Sequence, residues 1–545
     1  MGYLGGGPPR RTIPSDRTLL AVARTPSSLN RLVTVLPLVD SDSRVAVKFT
    51  IDEGSRFGHE LDRLLGDLGA EVLPWSVAVE TPVDLALAAH VDANLAQLAG
   101  PLMVLPHGAG YNRLVPTSTG NLPVAAGLSP AELMSNGKVF PDVIGLSHEE
   151  QLDRLGRSCP EAVPHAAVVG DPAFDRMLAS EGRRERYRGL LGVRRGFCLV
   201  LLTSTWNAHS ALGRHERLVH RLAAELPVDE YQIAVILHPN IWYGHSIYEI
   251  RAMFRDALDS GVLIIPPSTW EAALIAADVI IGDHGSVSVY GAALNRPFLQ
   301  AADGLVELDP DSPVAEFARE AQPLDLAAGL REQIEFAVGG GARQLTAFTD
   351  RTLGRRGESW ELLHDKLYEL LRLEPKSAPA RMLPVPDPTP ERGNEITAFL
   401  TAAIVHRDGD AAGRVELRRY PAIVGDHRGP WDHADLFRVV DHREVEHAQR
   451  QSADIVFRAD PLSRREAVTW TNEVLYDHPG AMLAAALTST GCLLRQRDGR
   501  QLEAVSGDLA APGVPLVASA VRMAGGPAPD HGPGSVGGPA GPGQY

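Results

Sequence analysis

The stretch ADVIIGDHGSVSVYGAALNRPFLQ, residues 277–300, decides the fold class. Val279 to Gly282 is a short, continuous apolar run, Ser286 to Leu294 follows with helical patterning, and Phe298 to Gln300 is a second apolar run. Strands that are apolar on both faces must be covered on both faces, which is the condition of a parallel sheet flanked by helices. The alternation continues outward. Strands are predicted at Phe197 to Leu202, Gln232 to Leu237 and Val262 to Ile265, with helices from about Arg214, Ser246 and Thr269 between and after them. Nearer the N-terminus, Arg17 to Ala23 and Val45 to Ile51 pattern as strands, and His59 to Gly69 as a helix with Leu61, Leu64, Leu65 and Leu68 on one face. Leu102 to Leu105 is a further apolar run, after a helical segment ending near Ala99. Two such halves predict an α/β molecule of two facing doubly wound, Rossmann-like domains.

The polar residues fall in a telling place. Four strands run into small or polar clusters: Pro106-His107-Gly108-Ala109-Gly110, Thr203-Ser204-Thr205-Trp206, His238-Pro239-Asn240 and Asp283-His284-Gly285-Ser286. Open α/β sheets bind ligands outside the carboxyl ends of their strands, so all four lie on the binding edge. Thr203, Thr205, His238, Asp283, Gly285 and Ser286 are therefore candidate nucleotide- or phosphate-binding residues. The helix from Ser286 starts with small residues, and its free amides and positive dipole end suit an anion. Simple capping is the bland alternative, since Asp, Ser and Thr at such turns commonly satisfy helix amides. His107, followed by glycines that open the backbone, is the catalytic candidate, because a neutral imidazole there can take a proton. His238, held extended before a proline, suits a phosphate contact.

Composition narrows the classes. The chain has 545 residues, enough for two or three domains, and 68 acids against 52 bases, a net charge of −16 that argues against nucleic acid as a partner. Lysine occurs only at positions 48, 138, 366 and 376, an arginine bias expected of a GC-rich, actinobacterial genome. A phosphate-binding P-loop needs Gly-Lys-Ser or Gly-Lys-Thr, and Gly137-Lys138 is followed by Val139, so no such ATPase is expected. Cys159, Cys198 and Cys492 are odd in number and far apart, which suits free thiols in a reducing cytoplasm. No cofactor is expected. Neither a signal peptide nor 18 consecutive apolar residues is present, so the expected location is cytoplasmic, with peripheral contact at the inner face of the membrane left open. The basic run Arg183, Arg184, Arg186 and Arg188 is either a solvated helix face or a contact for anionic lipid or polyphosphate.

Six regions are expected: a flexible arm over 1–17, an acceptor-side Rossmann-like domain over 18–180, a nucleotide-binding one over 181–373, a Pro-rich linker over 374–392, a small α+β domain over 393–522 and a disordered tail over 523–545. The third domain shows strand patterns at Ile396 to Val405 and Arg414 to Leu417 and a helix around Pro461 to Leu475. It carries the pairs Asp426-His427, Asp432-His433 and Asp441-His442, with His447 beyond. Carboxylate and imidazole suit zinc or manganese, but the spacing is irregular, so a solvated polar loop is the expectation and no metal site is assigned.

In order along the chain, these landmarks resemble the CDP-glycerol glycerophosphotransferases of teichoic acid synthesis, within the GT-B glycosyltransferase fold. Pro106-His107-Gly108 resembles that family's Trp-His-Gly turn, Val169-Gly170-Asp171-Pro172 with Asp175 its Gly-x-Pro-Arg-x-Asp segment, and Thr203 to Trp206 its Pro-Thr-Trp turn. Leu237-His238-Pro239 is similar to its His-Pro pair, Ala277 to Val287 with Asn295-Arg296-Pro297 to its Asp-Tyr-Ser-Ser-Val run and following Lys-Pro, and Ser359 to Leu373 to its closing helix that crosses back to the first domain. The resemblance implies a transferase moving a polyol phosphate or sugar from a nucleotide-activated donor, CDP-glycerol or a nucleotide sugar, to an acceptor hydroxyl in cell-wall polymer synthesis. It implies His107 as general base and donor phosphates at His238, Ser286 and the helix start, with Thr203 or Thr205 nearby. Two positions depart: the first of the paired serines is Gly285, and Tyr290 stands where a carboxylate would hold the ribose. A GT-B-shaped binding or scaffold protein without catalysis is the alternative. A nucleotide-sugar epimerase is the weaker one, because UDP-N-acetylglucosamine 2-epimerases carry adjacent glutamates where this chain has Val289-Tyr290.

Overall fold

Seven parallel strands make the first sheet, and four of them are too short to stand out by pattern alone. They are β1 (Arg17–Ala23), β2 (Val45–Ile51), β3 (Val72–Leu73), β4 (Leu85–Ala88), β5 (Leu102–Val104), β6 (Val143–Leu146) and β7 (Ala166–Val168), in the spatial order 7-6-5-4-1-2-3. Strand β1 is central, and from Leu19 to Ala23 every side chain is buried, which is why that run does not alternate. The second sheet is β8 (Cys198–Ser204), β9 (Tyr231–Leu237), β10 (Leu263–Ile265), β11 (Val279–Gly282) and β12 (Phe298–Gln300), in the order 10-9-8-11-12, all parallel. Both sheets are thus doubly wound, with the strand order reversing beside the first strand of each.

The computed structural model describes residues 15–115, 124–376, 381–406, 414–424 and 435–504, with 515, 517–519 and 522. Most of the N-terminal arm, the tail beyond 522 and the pairs Asp426-His427 and Asp432-His433 lie outside the described residues.

The helices that matter to the site are α1 (Pro26–Val35), α2 (Gly58–Asp67), α3 (Glu149–Ser158), α4 (Pro172–Ser180), α5 (Arg184–Leu190), α6 (Pro239–Gly244), α7 (Trp270–Ala276), α8 (Ser286–Ala293) and α9 (Ser359–Leu371). Helix α1 starts at a capping box between Thr25 and Ser28 with Pro26 next, an arrangement that satisfies its first amides. Helix α9 crosses back to the first half and inserts Leu363, Leu367 and Leu371, spaced by four, into a core shared with Leu61 and Leu65 of α2. Each such leucine contributes about 1.5–3 kcal/mol of apolar burial, so the return of the chain is held by packing. Asp175 of α4 fixes its start by accepting from the amides of Gly357 (2.7 Å) and Ser359 (2.9 Å).

The basic run is in part the expected solvated helix face, with Arg183 and Arg186 exposed, and in part turned inward. Arg184 and Arg188 both reach Asp278 (2.5 and 2.6 Å), and Arg186 pairs with Asp387, so these arginines brace α5 against its own surroundings. The Pro-rich segment follows the second half closely. Tyr187 Oη donates to the Val385 carbonyl (2.7 Å), the Val385 amide donates to Ser180 Oγ (3.0 Å), and Glu391 exchanges backbone bonds with Ile264 at the edge of the second sheet.

The chain divides into two compact units near residue 395, Ile423 and Val424 belonging to the first. The second unit has a seven-stranded mixed sheet of β13 (Ala398–His406), β14 (Arg414–Pro421), β15 (Asp435–Asp441), β16 (Ile455–Leu462), β17 (Leu483–Thr488), β18 (Gly491–Gln496) and β19 (Gln501–Ala504), in the order 14-13-15-16-17-18-19. Only β15, β16 and β17 run parallel, and helix α10 (Arg464–Asp477) makes the crossover between the last two, beginning with a Ser463–Glu466 capping box. Among the described residues no group of three metal-ligating side chains converges, and no helix is long and apolar enough to cross a membrane.

Candidate functional site

The loops at the carboxyl ends of the two sheets meet. After β5 the chain passes through His107, and the amide of Ala109 donates to Ser286 Oγ at the start of α8 (3.1 Å). Glycine is required at 108 by this approach, since a Cβ there would lie 2.5 Å from Ser286 Oγ. The rest of the loop is tied on both sides. Arg154 donates to the Tyr111 carbonyl (2.6 Å) and to Asp309 (3.0 Å), and the Asp309 amide donates to the Asn112 carbonyl (2.8 Å). His107 is thereby carried by the first half and held over the second.

Beneath it, Asp283 is fully buried at the end of β11 and accepts from four donors: Thr205 N (2.8 Å), Thr205 Oγ1 (2.9 Å), Ala211 N (2.8 Å) and Gly285 N (3.0 Å). A buried carboxylate needs such donors, and these draw the β8 and β11 loops together across the strand reversal. Glycine stands at 285 for lack of room, because a Cβ would sit 2.4 Å from the Thr205 methyl. Thr203 is buried on the same strand. Asp283, Thr205, Thr203 and Gly285 are therefore brought together as the floor of the crevice, with the Thr205 hydroxyl and the Gly285 amide already engaged. Ser286 Oγ accepts from the His107 loop.

His238 caps α6: its Nδ1 accepts from the Asn240 amide (3.0 Å), which places the proton of the neutral ring on Nε2 as a donor. Burial, with the nearby His107 and Arg113, pulls its pKa down to about 3. His107 keeps exposed surface on one side, yet enclosure by surrounding protein, reinforced by Arg31, His90 and Arg113, pulls its pKa to about 4. Both imidazoles are neutral at pH 7. Each would bind a proton more readily once an anion entered beside it.

Sequence reasoning missed three features. Arg31, on the buried face of α1, makes two bonds to Asp171 (2.9 and 3.0 Å) and further bonds to Tyr290 Oη (3.0 Å) and the Gly108 carbonyl (3.1 Å). Tyr290 Oη in turn donates to Asp171 (2.8 Å), so the residue at the expected carboxylate position closes a buried knot between α1, α4 and α8. The helical spacing of Ser28, Arg31 and Val35 would have revealed an arginine facing inward. Second, Asp52 at the end of β2 accepts from Arg24 (3.0 Å), His90 Nε2 (3.1 Å), Asn94 (3.0 Å) and the Gly54 amide (2.8 Å). Burial opposes its ionisation, but the bonds from His90, Asn94 and Gly54 prevail and hold it well below the ordinary carboxylate range. Third, Arg113 spans the halves, lying over the Trp206 ring (4.8 Å) and pairing with Glu307 (3.3 Å), which also meets His284 Nε2 (3.2 Å).

No family model matches the chain, and no curated protein matches it in sequence. Among solved structures it is similar to the wall teichoic acid polymerase TagF, at 11% identity over 66% of this chain and 89% of that one, with a TM-score of 0.41. It is also similar to S. aureus MnaA with UDP (11% identity, 67% and 100% covered, TM-score 0.40). A glycosyltransferase from Rickettsia africae is similar at 14% identity, 66% and 98% covered, TM-score 0.38. At such identities every residue role rests on this chain's own geometry.

Proposed function

We propose that the first unit is a GT-B transferase that moves a polyol phosphate, such as glycerol phosphate, or a sugar from a nucleotide-activated donor to an acceptor hydroxyl, in the synthesis of a cell-wall polymer. One observation carries this: His107, a neutral imidazole, stands two residues before Ala109, whose amide donates to Ser286 Oγ at the start of α8, where amides that precede the first intrahelical bond favour a phosphate. The donor's phosphates lie along the α8 start and His238, whose Nε2–H donates to them. Their negative charge raises the His107 pKa from about 4 toward neutrality, so the base gains strength only when the donor is in place. His107 then takes the acceptor's proton as the hydroxyl oxygen attacks the phosphoryl or anomeric centre, and the nucleotide leaves with its phosphate. The protein works at the cytoplasmic face, where such donors are made.

A second reading has its own support. Tyr290 is committed to Asp171 and Arg31, so the position assigned to ribose recognition offers no carboxylate, as befits a protein that binds a related ligand without turning it over. The epimerase reading is weaker still, since Val289-Tyr290 stand where adjacent glutamates would.

A thermal-shift panel with CDP, UDP, GDP, CDP-glycerol and UDP-sugars, repeated on Ser286→Ala and His238→Ala, separates these readings. A donor at about 100 times its dissociation constant adds roughly 2.7 kcal/mol, a visible shift. A shift with one base that is lost in both variants, followed by turnover that drops about 10²- to 10⁴-fold in His107→Ala, is the outcome for a transferase. Binding without turnover gives the second reading, and stabilisation by none of the nucleotides removes the transferase.

A further inference from the structure

Trp206 has no place in the chemistry above, yet it is unusual. The residue lies two positions after β8, keeps 37% of its surface exposed, and lies beside the His238 ring at 6.3 Å between centroids. A large aromatic left open next to a phosphate-binding edge is a stacking surface. Its face is covered by a side chain from the other half: the Arg113 guanidinium lies 4.8 Å from the ring centre and is retained at 3.3 Å by Glu307. Cation–π contacts at exposed positions are weak, and a flat aromatic ring can replace a flat guanidinium on the same face.

The surroundings limit what that ring belongs to. Trp206 adjoins Thr205, whose methyl packs against Gly285 at the start of α8, so the indole shares a loop with the anion-binding edge. Arg113 lies close enough to His107 and His238 to depress both, which puts its charge within reach of the same anion. The carboxylate that holds it, Glu307, also meets His284 Nε2 at 3.2 Å, and is not left alone if Arg113 departs.

We propose that Trp206 and Arg113 form the ring-binding end of the crevice: the indole stacks on the base of a nucleoside diphosphate, and Arg113 leaves Glu307 to pair with the phosphates. The proposal rests on the nucleotide-donor reading and adds to it a residue for the base and a cation from the opposite half. It also accounts for the missing carboxylate at Tyr290, since stacking holds the nucleoside without gripping the ribose hydroxyls.

The experiment is calorimetric titration of the full chain with CDP, UDP, GDP and inorganic pyrophosphate, on the parent protein and on Trp206→Ala, Trp206→Phe and Arg113→Gln, with thermal unfolding to confirm that each variant is folded. Trp206→Ala should weaken the tightest nucleoside diphosphate about 5- to 150-fold and leave pyrophosphate unchanged, Trp206→Phe should retain most of the affinity, and Arg113→Gln should weaken both ligands. Nucleotide binding unchanged in Trp206→Ala, or pyrophosphate bound by the parent as tightly as any nucleotide, overturns the stacking subsite while leaving the donor reading intact. Pyrophosphate weakened along with nucleotides in Trp206→Ala overturns it as well. A parent protein that binds none of the nucleotides overturns both.

Discussion

Next to the strand reversal of the first sheet, the buried carboxylate Asp52 at the end of β2 holds side chains: Arg24, His90 and Asn94, with one amide. At the equivalent reversal of the second, Asp283 holds three amides and a hydroxyl, and no charged partner. The topology is the same, and the carboxylate serves two ends. Bonded to main chain, Asp283 fixes the shape of a floor. Bonded to ionisable groups, Asp52 sets the charge of a wall, and His90, one of those groups, is among those that lower the His107 pKa. One half of the crevice is a rigid seat and the other an adjustable field, joined by the Arg31–Asp171–Tyr290 knot.

The knot offers the largest break. Asp171→Ala leaves Arg31 buried without its partner and should cost about 3–5 kcal/mol, read as a fall in chemical denaturation midpoint; a loss under 1 kcal/mol would show that the halves are held elsewhere. Gly285→Ala tests the rigid seat: its methyl meets Thr205, and about 1–3 kcal/mol of overpacking should appear, with weaker nucleotide binding by titration. Tyr290→Phe removes one neutral donor from the knot and should cost about 1–2 kcal/mol, while nucleotide affinity stays as it was if the hydroxyl serves only the junction.

The smallest effect is read by pH on the two imidazoles, one carried by each half. His107 and His238 have folded pKa values of about 4 and 3, below the ordinary value near 6.5. The unfolded chain therefore takes up protons first as pH falls, so the contribution of these rings is complete above about 6.5 and is lost toward 4. Asp52, with its pKa held low, begins to lose its contribution only below the ordinary carboxylate value near 4. Unfolding midpoints between pH 8 and 4.5 should fall with acidification, and His238→Gln should flatten that slope; an unchanged slope would assign it to other groups.

Much of the second half was legible because its strands are long or continuously apolar. Tyr231–Leu237 and Val279–Gly282 end within a residue of where their apolar runs end, and the clusters Thr203–Trp206 and Asp283–Ser286 fall on one edge for that reason. Helix α9 was expected only through the resemblance of Ser359 to Leu373 to a closing helix, and it runs Ser359–Leu371 with Leu363, Leu367 and Leu371 buried. Leu85–Ala88 was not visible, since four small apolar residues fit a helix equally well, and with it went His90 and its bond to Asp52. Helix α2 runs Gly58–Asp67, slightly N-terminal to expectation, and the segment before Ala99 is a 3-10 turn over Ala93–Gln97. The site divides in the same way. Residues at strand ends were legible; contacts between residues 259 positions apart, such as Arg31 with Tyr290, leave no mark in local pattern.

The exchange of backbone bonds between Ile264 and Glu391 has a practical meaning for anyone shortening this chain. Ile264 lies in β10, the outermost strand of its sheet, and Glu391 covers part of its free side. A truncation placed before the prolines, where composition invites a cut, would uncover that strand as a template for pairing between molecules. Ending at 395 keeps the edge closed, so the shorter product should aggregate where the longer one stays monodisperse.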